Sequence, residues 1–202
     1  MFLGDTMEFK NTNEFNAYIN DNKSSILGYG VEGTVYLTKS NETIKDMQDN
    51  PKIIDYTNVI MSTDLDLSSF LFPTELFLIG NKIVGYKSNY FPNNIIMKRN
   101  GKIEDIDIDA LLEAREKFIK DLKVLTESGY YLYDTAGNIL FDNKSLVAID
   151  TLNYKKKTVP LRRNISALDN ALVCELKKHD SNSGIDVFDT FTTAIEKIKK
   201  RV

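Results

Sequence analysis

The chain has 202 residues, 42% of them hydrophobic, 27% charged and 10% aromatic, with a formal net charge of −3. That length suits one domain or two small lobes sharing a cleft, and the apolar fraction suffices for a sizeable core. The slightly acidic balance excludes a global basic footprint for nucleic acid or an anionic membrane, so "YKKK" at 154–157 and "KIKKRV" at the end read as solvated surface.

The first residues, "MFLGDTMEFKN", lack a basic region followed by an apolar core, so they do not read as a signal peptide. No run approaches the ~18 apolar residues of a membrane span, and the expected setting is cytoplasmic. Residues 8–22 fit either a short helix or a lead-in strand. From 26 to 47 the pattern is β, with "ILGYG", "TVYLT", the polar turn "KSNE" and then "TIKDM". Residues 51–62 carry Ile53, Ile54, Thr57, Ile60 and Met61 at helical spacing behind Pro51, which predicts a helix. Two β runs flank "GNK" within residues 70–91, another hairpin. The segment 107–128 predicts a long helix, with Leu111, Leu112, Phe118, Ile119, Leu122 and Leu125 on one side and Gly129 ending it. "NILFD" (138–142) and "SLVAID" (145–150) predict a small hairpin, and two helices are expected at about 165–179 and 186–201. Strands first and helices later make an α+β chain. The single cysteine, Cys174, rules out an internal disulfide and reads as a buried core thiol. The single histidine, His179, reads as the cationic end of a helix rather than a catalytic base.

One set of residues fits phosphoryl transfer, which needs a close backbone and a cation for the phosphates, oxygen ligands for a metal, and a group that orients the nucleophile. Gly28, Gly30 and Gly33 lie on a hairpin turn, where the missing Cβ atoms let backbone approach phosphate. Lys45 follows on the next strand. Asn138 precedes one strand of the small hairpin and Asp150 ends the other, so two hard oxygen ligands for Mg2+ emerge together.

These motifs resemble the eukaryotic-like protein kinase superfamily, in its small, divergent bacterial and aminoglycoside-phosphotransferase-like branches. "GYGVEGTV" fits the glycine-loop pattern G-x-G-x-x-G-x-V, "TIK" looks like the strand-lysine motif, "DTAGNILFD" resembles the catalytic loop, and "AID" the metal-binding motif. The resemblance covers about residues 26–155. It implies a minimal bilobal kinase-like fold, with a β-rich nucleotide-binding lobe at 1–91 and a reduced helical lobe at 92–202. It further implies that Lys45 pairs the α/β-phosphates of ATP, that Asn138 and Asp150 hold Mg2+, and that Asp134 orients the acceptor hydroxyl. "KSNYF" (87–91) would connect the lobes and offer adenine the backbone of Asn89, Tyr90 and Phe91. Ile26 and Val35 would cover the adenine from above and Leu140 from below, although all three also read as ordinary core.

The chain departs from the family pattern in several places. Asp134 and Asn138 are four apart where the family has five, so either the loop has lost a residue and Asp134 serves, or Tyr133 stands at the base position. No glutamate follows on the expected helix; Asp55 is either the partner of Lys45 or an exposed carboxylate. "IDTLNY" lacks the usual glycine, and only 52 residues (202 − 150) follow Asp150. The reading favoured is an ATP- and Mg2+-dependent phosphotransferase acting on a protein or small-molecule hydroxyl. The alternatives are a pseudokinase that binds nucleotide or regulates a partner without transfer, and a plain α+β domain.

Overall fold

The computed structural model describes residues 5–53, 59–95 and 101–201. It is a mixed α and β structure, and the chain divides into two compact units: Met1–Asp66 with Leu71–Tyr90, and Leu67–Phe70 with Phe91–Val202.

In the first unit, β1 (Asp5–Glu8), α1 (Thr12–Asn22), β2 (Lys23–Gly30), β3 (Gly33–Thr38), β4 (Glu42–Asp46), β5 (Lys52–Ile53), β6 (Glu75–Ile79) and β7 (Lys82–Asn89) follow in order. They make a seven-stranded sheet in the order β1-β6-β7-β4-β3-β2, with β5 pairing β7. Every pair is antiparallel except β1–β6. The ambiguous 8–22 segment is therefore the end of a strand and then a helix. Asn11 starts α1 by accepting the Glu14 N–H at 3.1 Å, while the Glu14 carboxylate accepts the Lys10 N–H at 2.7 Å. Phe15 and Ile19, one helical turn apart, then pack on Phe9, Ile44, Phe77 and Val84 of the sheet.

The helix expected at 51–62 is corrected at its start. Lys52 and Ile53 pair with Ile83 and Lys82, because β4 covers β7 only as far as Gly85 and leaves the same edge open beyond it. Backbone pairing at that edge overrides the local periodicity. Residues 54–58 lie outside the described residues, and Val59, Ile60 and Met61 are buried without helical form.

In the second unit, α2 (Ile108–Glu127) is capped by Asp107, whose carboxylate accepts the Ala110 N–H at 2.9 Å. Its buried face is Leu111, Ala114, Phe118, Leu122 and Leu125. After it come β8 (Tyr130–Tyr131), β9 (Ile139–Phe141), β10 (Leu146–Ala148), β11 (Lys155–Lys156), α3 (Leu161–His179) and α4 (Phe191–Lys199). β9 pairs β10 and β8 pairs β11, both antiparallel. Arg115 of α2 makes two bonds to Asp169 of α3, at 2.7 and 3.0 Å, and lies 4.9 Å from the ring centre of Phe191 on α4. Cys174 is half-buried rather than fully buried. His179 is buried, with Nε2 3.0 Å from the Lys102 carbonyl.

Leu67–Phe70 is a short stitch that belongs to this second unit although it precedes β6 in sequence. Ser69 accepts the Ala148 N–H at 2.8 Å and donates its own N–H to Asp121 at 2.8 Å. Phe70 is buried against Phe118 and Tyr154, with ring centres 4.9 and 6.1 Å apart. Among the described residues no helix is long and apolar enough to cross a membrane.

Candidate functional site

The first unit assembles its predicted residues by strand register. Gly28 lies opposite Val35, Val35 opposite Lys45, and Lys45 opposite Tyr86, so one cross-strand row runs over β2, β3, β4 and β7. Directly paired residues point to the same side of a sheet, which sets Val35 and Lys45 side by side. Ile26 is further along β2, opposite Tyr36, after an irregularity between Ile26 and Gly28. Ile26 is exposed and Val35 half-buried, so neither is ordinary core. Asn89 ends β7 opposite Glu42; Tyr90 is the last residue of the first unit, and Phe91 begins the longer segment of the second.

The β2–β3 hairpin turns through Val31 and Glu32, with Gly30 and Gly33 paired across its base. The three glycines have different physical reasons. At Gly33 a Cβ would overlap the Asp46 carbonyl, so contact between β3 and β4 excludes every other residue. At Gly28 a Cβ would meet nothing within 4 Å, and at Gly30 only an ordinary contact at 3.6 Å. Packing of the described residues therefore does not account for glycine at 28 or 30. Gly28 leaves bare backbone facing open space.

Lys45 is buried, at 8% exposure, and its ammonium donates to Glu32 at 3.1 Å. The other oxygen of the same carboxylate accepts from Lys52 at 3.2 Å. The sequence reading sought a glutamate for Lys45 on a following helix; the structure supplies one from the glycine hairpin itself. Asp55, weighed for that role, lies outside the described residues.

The second unit gathers Asp134, Asn138, Leu140 and Asp150 around the β9–β10 hairpin. Ile139 pairs with Ala148, and the ladder continues through the Ile149 N–H to the Asn138 carbonyl at 2.9 Å, which puts Asn138 beside the residue preceding Asp150. The Asn138 amide nitrogen donates to the Asp134 carbonyl at 2.7 Å, closing the loop between these two residues. That bond uses the amide nitrogen and leaves Oδ1, an acceptor, outside it. Gly137 is anchored by its N–H to the buried Glu175 at 3.1 Å. Leu140 is buried within β9.

Asp134 and Asp150 both adopt left-handed backbone, with φ of 53° and 57°. Aspartate tolerates this region better than most residues, and strain of this sort gathers where a side chain must be aimed. Tyr154 links the two: burial raises its hydroxyl far above the ordinary tyrosine range, and the charges of Asp150 and then Asp134 raise it further. Both carboxylates thus act on one buried phenol. Asp134 itself is exposed, while Asn138 and Asp150 are half-buried.

The chain leading into this loop is held by Asn164, a buried residue of α3 that the sequence reading missed. Its Oδ1 accepts the Leu132 N–H at 3.0 Å; its nitrogen donates to Thr126 at 2.7 Å and to the Tyr130 carbonyl at 3.2 Å. Nothing local in "LRRNISAL" signals this, because all three partners lie more than thirty positions earlier.

Among the described residues no group of three or more His, Cys, Asp or Glu could enclose a metal. A cation here would draw two protein oxygens, from Asn138 and Asp150. That donor set fits Mg2+, which is commonly held by one or two protein groups plus phosphate and water, and does not fit a protein-enclosed structural metal. Compared with known proteins, the chain matches no family model and no curated protein.

Proposed function

We propose that the chain is an ATP- and Mg2+-dependent phosphotransferase of minimal, bilobal protein-kinase-like type, acting on a hydroxyl of a protein or small molecule. The observation that carries this reading is the loop around β9–β10: Asn138 tied to the Asp134 carbonyl, Asp150 next after the Ile149 that bonds Asn138 across the ladder, and both Asp134 and Asp150 in left-handed backbone. The Gly28–Val35–Lys45 row adds support, with glycines at 28 and 30 that internal packing does not require.

In this reading the bare backbone of the glycine hairpin and the Lys45 ammonium bind the phosphates, and Ile26, Val35 and Leu140 contact the adenine. The backbone of Asn89, Tyr90 and Phe91 hydrogen-bonds its edge. Asn138 and Asp150 hold Mg2+, which supplies positive charge to the phosphate oxygens. Asp134 accepts the proton of the acceptor hydroxyl as its oxygen bonds to the γ-phosphorus and the bond to the ADP oxygen breaks. Positioning and fixed charge do most of this work.

The test is a pair of measurements on the full chain. Mg2+-ATP should raise the melting temperature, and Asp150→Asn should remove the Mg2+-dependent part of that shift. Asp134→Asn should leave nucleotide binding nearly intact while slowing autophosphorylation or ATP turnover by about 10²-fold or more. Binding without turnover in the natural chain would favour a nucleotide-binding regulatory module instead. No shift at millimolar nucleotide would sink both.

A further inference from the structure

We infer that Lys52 is a second phosphate-binding cation of the glycine hairpin, and that Glu32 occupies its phosphate position in the ligand-free chain. This rests on the phosphotransferase reading and extends it to Lys52, outside the kinase-like motifs, and to Glu32, a position of the glycine loop that the resemblance gives no role.

Lys45 and Lys52 come from separate strands, β4 and β5, which succeed one another along the same edge of β7, at Tyr86 and Ile83. That strand fixes their backbones about 10 Å apart, three residues at strand rise. The two ammonium groups nevertheless converge on the two oxygens of one carboxylate, at 3.1 and 3.2 Å. Glu32 thus bonds two cations at once, one buried and one half-buried. A phosphate group offers the same oxygen chemistry with more oxygens and more charge, so it competes well for both lysines.

The hairpin is built to let Glu32 go. Its tip is Val31–Glu32, flanked by Gly30 and Gly33, and the Val31 side chain is 98% exposed, so it does not anchor the turn. The two ion pairs are partly exposed and correspondingly weak. Phosphate binding would exchange the carboxylate for the ligand at Lys45 and Lys52 and leave Glu32 to solvent.

The experiment is calorimetric titration of the natural chain, Glu32→Gln, Lys52→Gln and Lys52→Met with Mg2+-ATP and, separately, with tripolyphosphate alone. Ligand-free melting curves first establish that each variant is folded. Glu32→Gln should tighten both ligands by about 3- to 10-fold, the size that two partly exposed ion pairs give. Both Lys52 variants should weaken both ligands by about 10-fold, as expected for a lost charge-assisted contact. Unchanged binding in the Lys52 variants, or weaker binding in Glu32→Gln, overturns the inference, since Glu32 would then merely hold Lys45 in place. Tripolyphosphate binding with the stated dependences but no phosphoryl transfer would uphold the inference and refute the phosphotransferase reading. Absence of binding in every variant would refute both.

Discussion

Replacing Asn164 with alanine should destabilise the second unit by about 4–6 kcal/mol, although the residue touches no candidate ligand. Its side chain makes three bonds, to Leu132, Tyr130 and Thr126, and is fully buried, so water does not replace them. Each neutral bond contributes about 1 kcal/mol, and a buried N–H left without an acceptor adds about 1–3 kcal/mol, here at Leu132. Against a typical stability of about 5–15 kcal/mol this is a large fraction. For a chain of this size it corresponds to a fall in melting temperature of roughly 8–24 °C. Urea denaturation followed by circular dichroism reads it directly. Ser166→Ala, an exposed change on the same helix, should stay within about 0.5 kcal/mol. Asn164→Asp keeps the acceptor for Leu132 but loses both donors and buries a charge, so at neutral pH it should be at least as damaging. A cost below about 1 kcal/mol for Asn164→Ala would show that the segment before Asp134 is not held in the way described.

Gly33→Ala should destabilise the sheet markedly, because its Cβ meets the Asp46 carbonyl, whereas Gly28→Ala should melt like the natural chain and lose nucleotide affinity; thermal shift with and without Mg2+-ATP separates the two. Tyr154 keeps its proton in the folded state well above about pH 10, where an unfolded tyrosine ionises, so its contribution to stability falls as pH rises through that value. Tyr154→Phe should therefore show a shallower alkaline loss of stability in urea titrations between about pH 9 and 11. The Asp189 carboxyl lies below its ordinary value because Lys197 and the Asp186 N–H bond to it. A lowered carboxylate contributes stability above the unfolded value, about pH 4, and loses it as pH falls through the folded one, so melting of Asp189→Asn should approach that of the natural chain in acid.

Elements whose determinants are local were legible in the sequence. The stripe from Leu111 to Leu125, with Asp107 before it and Gly129 after, announces α2, and the turn residues announce the hairpins. Elements fixed by distant partners were not. β1 pairs in parallel with β6 at Asp5–Glu75, seventy positions away (75 − 5), and no periodicity in "DTME" foretells it. β5 forms because β7 has an uncovered edge, while its own sequence reads as helix. At the candidate site, the glycines, Lys45, Asn138 and Asp150 were picked out by the order of their motifs and by the family resemblance those motifs carry. Glu32 went unseen for a geometric reason: only a two-residue hairpin tip folded beside β4 and β5 brings its carboxylate to both lysines.

The stitch at Leu67–Phe70 has a consequence for how the chain is made. A ribosome releases residues in order, so Phe70 emerges long before the residues that bury it. Its partners are Phe118 and Tyr154, and the last of these follows 84 residues later (154 − 70). At roughly 5–20 residues per second, on the order of 4–17 seconds pass before the second of these two rings has been made. Residues 71–90, which complete the sheet of the first unit, emerge during that interval. The sheet can therefore close while the four-residue insert loops out from it, its apolar ring open to chaperones or to other nascent chains. Burial of Phe70 is then a late event in synthesis, and slowed translation between codons 70 and 154 lengthens the vulnerable period without altering the finished molecule.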